Sequence, residues 1–198
     1  MPDMKNRQQM RHERTRMSQV RRALGVGLDH VESDEVDRVD FLIACVDYMR
    51  ASLDRLHAQD HRLHECLQPF VPPEDSANQA KLDALKDRLT KSEQALAEFV
   101  AARHALESSG VPGQSAFAEA GRRFLDVFLN ILRASQHSTE DIEQREFGQS
   151  QWDYISGITD ESIEREATLY DRVSQLAPEG AEPASFPPIR PPAPLPDA

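Results

Sequence analysis

"VDFLIACVDYMRASLDRLHAQDHRLHECLQP", residues 39–69, is the stretch that decides the fold. From Val39 onward, Phe41, Cys45, Tyr48, Ser52, Leu56, Leu63 and Leu67 keep a spacing of three and four, broken only at Asp60. A half-buried strand would alternate every second residue, whereas this spacing marks one face of a long α-helix. Pro69, followed by Pro72 and Pro73, closes it, because proline lacks the N–H and clashes with the preceding turn.

The same period recurs on both sides. Met10, Met17, Val20 and Leu24 step at 7, 3 and 4, and the "GVG" of residues 25–27 is expected to stop a helix over about 6–24. The acidic "LDHVESDEVD", residues 28–37, then reads as a connection. Leu82, Leu85, Leu89, Leu96, Phe99 and Leu106 predict a helix over about 79–108, ended by "SSGVPG". A fourth is expected from near Ser115 through Phe117, Phe124, Phe128, Ile131, Ser135, Ser138 and Ile142 to about Phe147. A shorter fifth, over 160–176, follows the candidate N-cap Thr159 and carries Ile163, Tyr170, Val173 and Leu176.

No segment shows strand alternation. Each apolar stripe must be buried against the others, so the expected fold is all-α: an antiparallel up-down four-helix bundle with a short fifth helix, spanning residues 1–177. Eight of the 13 prolines fall after residue 177. The stretch "PEGAEPASFPPIRPPAPLPDA", residues 178–198, is therefore expected to be a flexible, disordered proline-rich tail. Its PxxP spacing, Pro188 to Pro191 to Pro194, has the geometry of a polyproline II ligand for a protein partner.

Charge narrows the classes of function. The formal net charge is -11, which opposes nonspecific nucleic-acid binding by the chain as a whole. Residues 1–22 run the other way, with seven Lys/Arg against Asp3 and Glu13, but no aromatic residue stands among the arginines to stack a base. The reading is a charged helix complementing acidic neighbours, the alternative an RNA-binding or anionic-membrane arm; no nucleic-acid and no membrane partner is expected. The longest apolar run is the six residues "FLIACV", and the N-terminus lacks an apolar secretory segment. Cys45 and Cys66 are the only cysteines, 21 residues apart on one helix and so about 30 Å apart, too far for a disulfide. A reducing, cytoplasmic setting is expected. No glycine-rich phosphate loop or nucleophile elbow is present, and Glu65 beside Cys66 raises rather than lowers its pKa, so an enzyme is not expected.

The chemistry gathers in "LHAQDHRLHE", residues 56–65, which holds three of the seven histidines. On a helical wheel at about 100° per residue, His57, Asp60, His61 and His64 share an arc of about 100° beside the Leu56/Leu63 stripe. Residues on such an edge lie at the seams between helices, where bundles build metal sites. Imidazole with carboxylate suits zinc or non-haem iron better than calcium or magnesium. A solvated polar edge is the alternative on composition alone.

The stretch "VDYMRASLDRLHAQDHRLHECLQP", residues 46–69, resembles the hemerythrin-like (HHE cation-binding) family: an Asp-Tyr pair, an Asp-Arg, a histidine opening His-x-x-x-Glu, and a helix ending at proline. The resemblance implies a four-helix bundle holding non-haem iron, as two irons, that binds O2 or NO or serves iron and redox sensing. It implies His57 as a ligand, with His61 standing where the family has glutamate and Glu93, in "LTKSEQAL", standing where it has histidine. "HSTED" supplies His137 and Asp141, which lie about 100° off the stripe of their helix. Order along the chain points to His12 on the first helix, although Glu13 lies on the Met17/Val20/Leu24 face and His12 does not; His30 falls in the connection. His64 and His104 are further candidates. The competing reading is a metal-free degenerate bundle that acts as a regulatory or scaffold interaction protein.

Overall fold

The 39–69 stripe forms α2, Val39–Leu67, with Phe41, Cys45, Tyr48, Ser52 and Leu67 buried on one face. In this computed structural model, residues 4–33, 37–134, 139–157 and 159–188 are described. The remaining helices are α1 (Met4–Ser33), α3 (Ser76–Ser109), α4 (Gln114–Ala134), α5 (Glu140–Glu146), α6 (Gln149–Ser156) and α7 (Asp160–Leu176). No strand occurs among the described residues, and none of their helices is long and apolar enough to cross a membrane.

Contacts run in a ring: α1 packs on α2 and α4, and α3 packs on α2 and α4. Inside it lies the main apolar core, in which Val20, Leu24, Leu28, Phe41, Tyr48, Met49, Phe99, Phe117 and Phe124 are at most 3% exposed. Phe99 stacks on Phe124 at 4.4 Å and on Phe117 at 5.5 Å, joining α3 to α4 through their aromatic faces. A smaller cluster of Leu67, Val71, Leu82, Leu85 and Ile142 closes the end where α2 turns into α3 and α5 lies across it. At that turn Asp75 accepts a hydrogen bond from the Asn78 N–H at 3.1 Å and so caps α3.

Two helix boundaries correct the sequence reading. The first helix does not stop at "GVG" but runs on to Ser33, and His30 belongs to its last turn rather than to a connection. Gly27 is buried for proximity: a Cβ built there would stand 2.6 Å from Phe41 Cε1. Gly121 on α4 makes the same allowance for Leu28, whose Cδ1 would be 2.9 Å from an added Cβ. The fourth helix does not continue to Phe147. It ends as α4 at Ala134, residues 135–138 lie outside the described residues, and α5 starts afresh after Thr139, whose carbonyl accepts from the Ile142 and Glu143 N–H groups. The eight-residue α6 has no counterpart in the sequence reading, being too short to display a period.

The fifth helix matches its expected span, and Thr159 and Ser162 cap it reciprocally. The tail departs from expectation over 178–188, which is not disordered. Ala181 and Pro183 are buried, Phe186 packs on the main core, and Gln19 Nε2 donates to the Phe186 carbonyl at 2.9 Å. Three apolar residues and one side-chain-to-carbonyl hydrogen bond seat it against α1 and the core. Pro191 and Pro194 of the PxxP spacing lie outside the described residues.

The two glycines of α1 should respond oppositely to a methyl group. Nothing lies within 4 Å of a Cβ at Gly25, so Gly25→Ala should gain about 1 kcal/mol of helix propensity and raise the melting temperature by roughly 2–4 °C. Gly27→Ala should lower it, losing about 1–3 kcal/mol by overpacking against Phe41. Calorimetry on the pair tests the assignment; equal shifts would show that Phe41 can move aside.

Candidate functional site

The histidines of α2 turn toward α3. His57 is 7% exposed, and its Nε2 lies 2.7 Å from Ser92 Oγ. One turn on, His61 Nε2 lies 2.7 Å from Glu93 Oε1, in a pair open to solvent on both sides. Together they line a cleft of about 510 Å³ between the helices, with Arg50 and Asp54 at one end and Leu96, Ala97 and Val100 along α3. The small side chains of Ala58 and Ala97 leave the gap. Burial lowers the His57 pKa, and the nearby Glu93 and Asp54 carboxylates only partly oppose it.

Ser92 and His57 resemble a nucleophile and its base, but the setting is wrong for acyl transfer. Ser92 sits inside α3, where the backbone N–H groups are spent on helical hydrogen bonds and leave no oxyanion donors beside it. Burial pushes both thiols up as well, Cys66 with help from Glu65.

The other candidate ligands go elsewhere. Asp141, in the first turn of α5, accepts from Lys81 Nζ at 2.7 Å, and that lysine holds its carboxyl below the ordinary value. Lys81 precedes Glu93 on α3 by twelve residues, about 18 Å along the helix. Asp60 faces Arg88 and Glu143; burial raises its carboxyl despite the arginine. His12 is exposed on α1, as is His104 on α3, His64 is half-buried, and His137 lies outside the described residues.

A second polar cluster lies on the opposite side of α2 and was not anticipated. Arg55 Nη2 is 2.9 Å from Glu13 Oε2 of α1, while its Nε is 2.6 Å from Glu166 Oε1 of α7. Ser52 Oγ donates to Glu166 Oε2 at 3.2 Å. Both carboxylates are buried, Glu13 at 8% and Glu166 at 5% exposure. Burial pulls the guanidinium pKa down, and the two carboxylates more than offset it. Arg55 and His57 are two residues apart, about 200° around the helix, so the imidazoles and the buried carboxylates face away from each other. The signal was present in the sequence: Glu13, Ser52 and Glu166 each occupy a stripe position of an otherwise apolar helical face.

The described residues do not bring the implied ligands of a two-iron centre together. Among the described residues no three His, Cys, Asp or Glu side chains group so as to hold a metal ion. His61 and Glu93 satisfy each other, and the two buried carboxylates are committed to Arg55. No protein-family model, curated protein or solved structure matches the chain.

Two measurements follow. Arg55→Ala removes the guanidinium that two buried carboxylates share, which costs about 3–5 kcal/mol and should lower the melting temperature by roughly 6–20 °C. For His57 the folded pKa lies below that of the unfolded chain, so the unfolded state takes up the proton first and stability falls as pH drops below about 6.5. His57→Gln keeps a partner for Ser92 and should flatten that fall between pH 7.5 and pH 5 (roughly the window in which an imidazole titrates), as read by thermal melts against pH. Parallel profiles for the two proteins would place the titrating group elsewhere.

Proposed function

We propose that this chain is an antiparallel four-helix bundle of hemerythrin-like architecture that works without metal, as a regulatory or scaffold protein binding a partner. The observation that carries the reading is the Glu13–Arg55–Glu166 cluster. A carboxylate-bridged iron pair needs buried carboxylates beside imidazoles. Here the two buried carboxylates enclose a guanidinium, a cation supplied by the chain itself, on the side of α2 away from His57 and His61. The ring of contacts among α1, α2, α3 and α4, with short connections between them, supports the bundle.

Iron remains the second reading, because His57, His61 and Glu93 share one cleft. Metal analysis after anaerobic reconstitution with ferrous iron separates the two. The metal-free reading expects well under one iron per chain and a melting temperature that reconstitution does not change. Close to two irons per chain, lost together in a His57→Ala, His61→Ala double variant, would establish the iron protein instead.

A further inference from the structure

The helix α7 is held differently from the four that enclose the core. Of its residues only Glu166 and Val173 are buried. Its anchors stand at positions i, i+4 and i+7, one face of two turns. Glu166 reaches Arg55 and Ser52. Tyr170 lies edge-on to Tyr48 with ring centroids 6.0 Å apart, under Arg16 at 5.1 Å, and its hydroxyl donates to Gln19 Oε1 at 2.8 Å. Val173 is fully buried in the main core.

Two of these three anchors are polar. A buried ion pair fixes geometry strongly but adds little net stability, because both charges recover hydration when it opens. The seat of α7 is therefore selective, its register set by polar anchors that a helix of like chemistry can supply. Taken without α7, the groove between α1 and α2 offers a guanidinium for a carboxylate, an aromatic face under a cation for a ring, and an apolar socket. Charge agrees: residues 159–177 hold five Asp/Glu against two Arg, a net of -3, whereas residues 12–22 of α1 hold four Arg against one Glu, a net of +3.

We propose that the α1–α2 groove is a docking site for an acidic amphipathic helix of a partner protein, and that α7 occupies it as an internal ligand which the partner displaces. The partner helix presents Glu or Asp, then an aromatic residue four positions on, then a branched aliphatic residue three further. The inference rests on the partner-binding reading of the chain. Displacement leaves α1–α4 standing, because the contacts of α7 are to α1, α2 and the 178–188 segment and not to α3 or α4 in any number.

The test uses the full chain and, as probe, a fluorescein-labelled peptide of residues 159–177. Native-state hydrogen exchange on the wild-type chain should show the α7 amides opening while α2 and α3 stay protected. The peptide should bind the Glu166→Gln chain at least tenfold more tightly than wild type, because the substitution weakens the internal competitor and leaves the groove intact. A peptide carrying the same change should lose that affinity. Exchange of α7 only together with α2 and α3 overturns the proposal even if the variant fails to fold, and so does a peptide that binds both chains alike or neither. A Glu166→Gln chain that sediments as a dimer and excludes the peptide assigns the groove to a second copy and overturns the partner. Iron content is measured separately, so the metal-free reading stands or falls apart from these results.

Discussion

A guanidinium largely enclosed by helices needs counter-charge, and that requirement at Arg55 governs how three helices sit. Stranding it would cost several kcal/mol, so α1 must bring Glu13 within reach from one side and α7 must bring Glu166 from the other. The pairing fixes the rotation of α2. Turning that helix to direct His57 and His61 inward would swing Arg55 away from both carboxylates. The imidazoles therefore meet Ser92 and Glu93 on α3, at the outer seam, where one is exposed and burial lowers the pKa of the other.

Most of the helices were legible because their apolar stripes are long and their ends carry unambiguous chemistry. Val39–Leu67 closes at proline, and Asp160–Leu176 opens at a threonine that caps it. The errors arose where a residue type has two uses. Glycine stops helices, yet Gly27 lies within one because Phe41 comes too close for a Cβ. The stripe through Ser135, Ser138 and Ile142 suggests one helix, whereas α5 starts afresh after Thr139, and period alone does not register such a restart. The tail was misread over 178–188 because its composition describes what the segment cannot bury by itself, and not what Ala181 and Phe186 gain on a surface already formed.

The site was legible in part for the same reason. A wheel puts His57 and His61 on one face and Glu93 on the facing helix, and the structure joins them. It could not say which way that face turns relative to the core, since the answer depends on Arg55 and its partners up to 111 residues away. The polar intrusions at Glu13, Ser52 and Glu166 were visible as departures from the apolar pattern, but nothing local tells three separate departures that they belong together. Asp141 is a candidate through the family resemblance of "HSTED"; in the structure it lies in the first turn of α5 and its partner is Lys81.

The glycine contacts on α1 carry a consequence for how the molecule approaches anything charged. Gly27 lets Phe41 of α2 come close, and Gly121 of α4 does the same for Leu28, so α1 is pinched between two neighbours and has no slack to slide or roll. The charge it carries is pinned with it. Residues 12–22 of the helix hold four Arg against Glu13, a net +3, in a chain whose total is -11. Two opposite charges held at fixed separation make a permanent electric dipole moment, and an approaching charged body exerts a torque on it before any surface touches. Such torque favours productive orientations at encounter and fades as salt shortens the reach of the field, over about 8 Å at physiological ionic strength. The pinch that seats a helix in the core thus also gives the molecule a leading end in solution.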